Sequence, residues 1–316
     1  MMIVKQMAII KRWRIRFIHD IISYTIINEG RNMQVEIIKP YGYCSGVKRV
    51  IDMIESIKQK HQNDKIYCIG QIVHNKIVNE KLKELDIDVL TAGTKKEIIN
   101  KLQQGVVIFS AHGTDEKIIN LAKEKGLIVY DVVCPFVKRE FDIIKEKIKE
   151  GYSIIYIGKK KHEESEAAIS ISDEITLIEN VQDLYGLNLT NNKIAVINQT
   201  TLSINDLKDI YLEIKNKFPN AVIIDEICNS TRIRQEKLLS INKDVSIIVV
   251  GDENSNNTKS LFKLVKLKGN DCVMIESYND LNIQWLDGKK SVIIVSGAST
   301  PNEIVEEIYE KIKKIK

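Results

Sequence analysis

Past residue 32 the chain alternates between short unbroken apolar runs and longer stretches in which apolar residues recur every third or fourth position. Runs at 35–38, 65–70, 106–109, 153–158, 194–197, 246–251 and 292–295 are rich in Val and Ile and have the length of buried strands. Between them lie helical patterns at 47–58, 76–85 and 95–102, one that opens at Cys134, and one from Cys228 through Leu239. In the first, Val47, Val50, Ile51, Ile54 and Ile57 share a face; in the fourth, Val137, Phe141, Ile144 and Ile148 do. Strand followed by helix, repeated, predicts parallel strands joined by right-handed crossovers.

The alternation has a longer period. A strand-Cys-helix junction occurs at Cys44, at Cys134 and at Cys228, spaced by 90 and 94 positions. The strands that follow end at Gly70, Gly158 and Gly251, which lie 26, 24 and 23 residues after their cysteines. Each unit also carries one polar cluster after its first strand and one after a later strand: Val73-His74-Asn75 and Ser110-Ala111-His112-Gly113, then His162-Glu163-Glu164 and Asn198-Gln199-Thr200-Thr201, then Ser255-Asn256-Asn257 and Ser296-Gly297-Ala298-Ser299. Three copies of one unit are therefore expected. The predicted fold class is α/β, with three similar small α/β lobes of mainly parallel sheet arranged in pseudo-threefold fashion around a central iron–sulfur site. The lobes are expected over 33–133, 134–227 and 228–316. Because ligands of open parallel sheets bind beyond the carboxyl ends of the strands, the clusters should converge on one centre.

Composition narrows the class. A hydrophobic content of 44% and a charged content of 28% are ordinary for a folded protein of 316 residues. The net charge of +4 resides in residues 1–32, which hold six basic side chains against two acidic ones, so the body is neutral and offers no nucleic-acid footprint. Residues 1–32 read as an extension, either an over-extended start or a disordered tail, with Met33 as the natural beginning. No run of 18 apolar residues predicts a membrane span. Five cysteines without close pairing point to free or metal-bound thiols in a reducing cytoplasm.

Three thiols about 90 residues apart fit neither a zinc ribbon nor a local radical-enzyme loop. Each precedes a helix, where the dipole and free N–H groups favour a thiolate. Cys44, Cys134 and Cys228 suit one iron–sulfur cluster, and three ligands on a four-iron cluster leave one iron open. Cys68 and Cys272 lie in apolar surroundings and read as core. His74, His112, His162, Gln199, Thr200, Ser255, Asn257 and Ser299, beside three helix starts, would accept a small polyanion such as a diphosphate. Glu164 is the candidate acid, its carboxyl raised by burial, with Glu163 as a competitor. His19 and His61 read as solvated. Rival readings are an iron–sulfur sensor without turnover, which needs neither the anion ring nor the acid, and a nucleotide-binding protein with structural zinc, which lacks a GxGxxG or P-loop sequence.

Taken in order, Gly42-Tyr43-Cys44-Ser45-Gly46-Val47, Val73-His74-Asn75, Ser110-Ala111-His112-Gly113, Val133-Cys134-Pro135, His162-Glu163-Glu164, Asn198-Gln199-Thr200-Thr201-Leu202-Ser203, Ile227-Cys228-Asn229-Ser230-Thr231 with Arg234-Gln235, Ser255-Asn256-Asn257 and Gly297-Ala298-Ser299-Thr300-Pro301 resemble the LytB/IspH family of 4-hydroxy-3-methylbut-2-enyl diphosphate reductases, from about residue 35 to the C-terminus. The resemblance implies the last step of the non-mevalonate isoprenoid pathway, in which an allylic hydroxyl is removed reductively to give isopentenyl and dimethylallyl diphosphates. It implies one 4Fe-4S cluster on Cys44, Cys134 and Cys228, whose open iron binds the substrate hydroxyl. It assigns proton delivery to Glu164 with Thr200 and His162. Diphosphate binding falls to His74, His112, His162, Thr200, Ser255, Asn256, Asn257 and Ser299. Electrons would come one at a time from a ferredoxin- or flavodoxin-type donor. Two positions depart from the family: Glu163 stands where proline is usual, and Ser165 where valine is.

Overall fold

The computed structural model describes residues 33–315; the extension expected over 1–32, His19 included, lies outside them. Strand β1 (Gln34–Ile37) leads through Cys44 into helix α1 (Ser45–Lys60). A first sheet follows from β2 (Ile66–Ile69), β3 (Ile87–Leu90), β4 (Val106–Phe109) and β5 (Ile128–Asp131), linked by α2 (Lys76–Glu84), α3 (Lys95–Lys101) and α4 (Glu116–Glu124). After Cys134, helix α5 (Pro135–Lys149) opens a second unit of β6 (Ser153–Ile157), α6 (Glu163–Ile169), β7 (Ile175–Ile178), β8 (Ile194–Asn198), α7 (Ile204–Lys217) and β9 (Val222–Ile224). After Cys228, helix α8 (Asn229–Ser240) opens the third, with β10 (Ser246–Val250), α9 (Asn256–Lys268), β11 (Cys272–Ile275), β12 (Ser291–Ser296) and α10 (Asn302–Lys313).

The three sheets are four-stranded, with orders β3-β2-β4-β5, β7-β6-β8-β9 and β11-β10-β12-β1. All strand pairs are parallel, as the alternation predicts. One expectation needs correcting. The first strand was assigned to the lobe over 33–133, yet β1 pairs with β12, Val35 opposite Val292 and Ile37 opposite Ile294, and so completes the third sheet. The cause lies in the repeat itself. Strands β5 and β9 form the edges of their sheets and run into Cys134 and Cys228; β1 has the same role for Cys44. Each cysteine thus follows the edge strand of one sheet, while its helix packs on the next.

Helices cover both faces of the sheets, which is why the inner strands are apolar throughout. Helix α1 buries Val50, Ile54 and Ile57 against Ile66, Cys68, Val106 and Ile108. Each such aliphatic side chain contributes about 2 kcal/mol on burial. A separate cluster of Ile98, Ile99, Val107, Phe109 and Ala122 fills the other face. The second and third sheets repeat this with paired clusters of their own. The strand-ending glycines act alike: the N–H groups of Gly70, Gly158 and Gly251 donate to Leu90, Ile178 and Ile275 of the neighbouring strand at 2.9, 3.0 and 2.9 Å.

Candidate active site

All three cysteines sit at helix N-caps. Their backbone N–H groups are anchored in equivalent ways: Cys44 donates to Ala298 O at 2.9 Å, Cys134 to Ala111 O at 2.9 Å, and Cys228 to Thr200 O at 3.0 Å. Each acceptor lies in the loop after the next strand in from the edge, so one bond ties every thiol to a polar cluster of the late-strand type. Cys44 Sγ also accepts from Val47 N at 3.4 Å, and Cys228 Sγ from Thr231 N at 3.5 Å. The thiols converge. A Cβ placed on Gly46 would lie 2.8 Å from Cys134 Sγ and 3.7 Å from Cys44 Sγ, and Cys44 and Cys228 both act electrostatically on Cys134. Soft donors brought together around a residue with no side chain are a fit cradle for an iron–sulfur cluster. The stabilisation of thiolates expected at helix starts is outweighed here by burial, which pushes the Cys134 thiol up to about 11 and raises Cys228. Metal binding would therefore displace protons.

Glu164 stands beside this centre in the first turn of α6, 1% exposed. Its Oε1 accepts from the backbone N–H of Thr200 at 2.6 Å. Thr200 thus holds the acid through its N–H and Cys228 through its carbonyl. Burial raises the Glu164 carboxyl, against the Thr200 bonds that lower it. His162 is the N-cap of α6, and its Nδ1 accepts from Glu164 N at 3.2 Å and faces Gln199 Nε2 at 3.1 Å. With Nδ1 accepting, the neutral ring carries its proton on Nε2. Glu163 points elsewhere: it accepts from Ser110 Oγ at 2.7 Å and pairs with Lys95 Nζ at 2.9 Å. Of the two adjacent glutamates, Glu164 is the one turned to the thiols.

His74, His112 and His162 form a cluster, with ring centroids 4.5 Å apart for His74 and His112, 5.4 Å for His74 and His162, and 5.5 Å for His112 and His162. Their ligand atoms lie within 4.8 Å of one another. Burial lowers all three, reinforced at His112 and His162 by the neighbouring rings and opposed at His74 by Glu163 and Asp252; His162 falls to about 3. His74 Nδ1 meets Gln71 Oε1 at 3.2 Å, an acceptor, so the ring turns a bare Nε2 inward, and that atom has no partner. His112 Nδ1, Asn256 Nδ2 and both side-chain polar atoms of Asn257 are likewise buried without partners. Ser255 caps α9, accepting from Thr258 N at 3.4 Å, and Ser299 Oγ donates to His74 O at 3.1 Å. Unpartnered buried polar atoms around one spot are the mark of a polar ligand's place.

Some residues to which the sequence assigns no role help to build the site. Arg234 is almost fully buried and donates to Gly42 O at 2.7 Å and Ser296 O at 2.7 Å, which pins the loop that carries Cys44. Burial lowers its guanidinium to about 10, opposed by Cys44 and Cys228. Gln235 holds the Thr200 loop through Ile204 N at 2.8 Å and Leu202 O at 3.0 Å. Lys259, on α9, reaches the histidines electrostatically. His61, read as solvated, is instead buried at 8% exposure, because its ring bridges Asp64 at 2.7 Å and the Tyr130 hydroxyl at 2.9 Å. Cys68 is core as expected, its thiol pushed up to about 12, and Cys272 is partly buried against the third core.

The family model described as LytB protein matches residues 35–313. A 4-hydroxy-3-methylbut-2-enyl diphosphate reductase of Halalkalibacterium halodurans is 39% identical over 289 residues, covering 89% of this chain and 91% of its relative. One of the same name from Lysinibacillus sphaericus is 41% identical over 280 residues, covering 87% of each. Among solved structures, the E-1-hydroxy-2-methyl-but-2-enyl-4-diphosphate reductase of Plasmodium falciparum superposes with a TM-score of 0.82 at 33% identity, over 89% of this chain and 88% of that one. With the family model spanning every thiol and every polar cluster, and relatives near 40% identity end to end, the chain belongs to the LytB family.

Proposed function

We propose that this protein is a 4-hydroxy-3-methylbut-2-enyl diphosphate reductase that turns its allylic substrate into isopentenyl and dimethylallyl diphosphates. The observation that carries the reading is the junction at Thr200, which joins a buried carboxylic acid on one side to one of three converging thiols on the other. Cys44, Cys134 and Cys228 would hold a 4Fe-4S cluster that, when bound, supplies one-electron transfer and an open Lewis-acid position at the iron without a thiolate.

The chain's own groups do the rest. His74, His112, His162, Ser255, Asn256, Asn257 and Ser299 bind the diphosphate; their orphaned buried polar atoms, together with the nearby Lys259, suit an anion. His162 Nε2–H donates to it, since Nδ1 is occupied by Glu164 N. Binding at that rim orients the hydroxyl end toward the thiols and Glu164. The reaction takes R–OH, two electrons and two protons to R–H and water. Glu164, its proton affinity raised by burial, gives the proton with which the hydroxyl leaves, and Thr200 fixes its Oε1. Buried walls exclude water, so no stray donor competes.

A ferredoxin- or flavodoxin-type protein is the electron donor in this reading. A cytoplasmic location accords with five free thiols, and among the described residues no helix is long and apolar enough to cross a membrane. The test is anaerobic incubation of the iron-loaded protein with the hydroxylated diphosphate and a one-electron reductant. Expected are about four irons per chain and reductant-dependent release of both products. A colourless, zinc-containing protein after anaerobic loading with iron and sulfide, or no conversion by loaded protein, overturns the proposal.

A further inference from the structure

Helix α5 carries an anomaly on its buried face. Between Val137 and Ile144, where the stripe is otherwise apolar, stands Glu140, fully buried. Its carboxyl makes no well-formed hydrogen bond and lies within hydrogen-bonding reach only of the equally buried Tyr156 hydroxyl and the Glu164 carboxyl. The groups that face Glu140 are Glu164 from α6, Tyr156 from β6 and Glu226 from the loop before Cys228. None is a cation. Arg139, which pairs with Glu226 at 3.3 Å, is 67% exposed and spends its charge there.

A carboxylate in such a place has no counter-charge and only the Tyr156 hydroxyl to favour it, and two further carboxyls repel it. It is held as the neutral acid, with burial as the first cause and Glu164 as the second. A neutral glutamic acid beside the catalytic one gives the site a second carboxyl from which a proton can be passed on. For the fold alone a leucine there would serve better, so the residue marks a function rather than a packing need.

We propose that Glu140 is the proton relay behind Glu164, supplying the second proton of each turnover. The inference rests on the reductive dehydroxylation proposed above. In that reaction the C–O bond breaks and the hydroxyl leaves as water with the Glu164 proton. The two electrons from the one-electron donor and a second proton then form the C–H bond. After its first transfer Glu164 is a carboxylate, and the Glu140 O–H passes its proton across to it. Glu164 delivers again, and Glu140 recovers its proton from solvent between turnovers. Glu140 touches no reacting atom and acts only through Glu164.

The decisive variant is Glu140→Gln in the cluster-loaded protein, which keeps the shape and removes the transferable proton. Expected are unchanged iron content, a KM close to that of the parent, and a kcat lower by about tenfold, at the low end of what proton transfer supplies. The deficit should widen as pH rises, because proton supply from water then limits the second step, and Glu140→Asp should restore part of it. Two readouts need no turnover. An infrared carboxylic acid band of the cluster-free protein, sensitive to deuterium, disappears in Glu140→Gln, and the thermal midpoint at pH 8 rises, since no buried acid has to hold a proton there. A kcat equal to the parent's at every pH overturns the relay. So does a lowered midpoint with kcat and KM impaired together, which is the mark of a structural residue. If the parent itself fails to convert the substrate, the proposed reaction falls; if the parent converts it and Glu140→Gln is indistinguishable, only the relay does.

Discussion

Two sides of one centre respond to burial in opposite chemical senses. On one side His74, His112 and His162 are stripped of their protons, His162 falling to about 3. On the other, burial raises the proton affinity of Glu140 strongly and that of Glu164 against the hydrogen bonds that lower it. Desolvation is the largest cause in all five, and it always favours the uncharged form. The difference teaches what the site is built for: the chain's groups on both sides are biased toward the uncharged form, and charge enters with the ligands. The histidine side suits an anion, whose charge raises the proton affinity of the rings. The carboxyl side holds protons ready to leave.

That contrast predicts a ranking of effects. Glu164→Gln should bind substrate normally yet lose about a thousandfold in kcat, within the range of a lost general acid. Steady-state kinetics on cluster-loaded protein check this; retained turnover would remove the carboxyl side from the chemistry. His112→Leu should do the converse, raising KM about 10- to 100-fold through the loss of one charge-assisted hydrogen bond while kcat changes less. A kcat-only loss would make the histidine side catalytic rather than binding. Glu163→Gln is the mildest. Its ion pair with Lys95 joins the α6 start to the first lobe, but both side chains are about one-fifth exposed. The expected cost is about 1 kcal/mol of stability by denaturant titration, with kcat within a few-fold. A loss as large as that of Glu164→Gln would shift the acid by one residue.

How much of this was legible in the chain follows physical lines. Parallel sheet, threefold repeat and the three cysteines were visible because buried strands leave unbroken Val/Ile runs and because Cys44, Cys134 and Cys228 recur at one spacing. The placement of β1 was not, since which sheet an edge strand joins depends on tertiary closure rather than on its own residues. His61 looked solvated because its neighbours are polar; Tyr130, which covers it, is 69 positions away. Arg234 was visible only within a motif, and its role depends on carbonyls at Gly42 and Ser296, remote in sequence. Glu140 did leave a signal, a charge on the stripe formed by Val137, Phe141, Ile144 and Ile148, although only the fold shows that it faces Glu164.

The bias of the histidine side toward the uncharged form has one direct test. Free His74 presents a bare Nε2 and has its affinity for protons lowered. A bound diphosphate accepts only, so the ring must gain a proton to donate to it, and its proton affinity rises in the complex. Between the lowered and the raised values the complex holds one more proton than the free protein, so affinity weakens as pH rises through that window. The measurement is calorimetry of isopentenyl diphosphate binding to cluster-loaded protein at pH 7.5, in two buffers of different ionisation enthalpy. The prediction is net uptake approaching about one proton per chain, lost in His74→Leu. Zero uptake, or proton release, would contradict it.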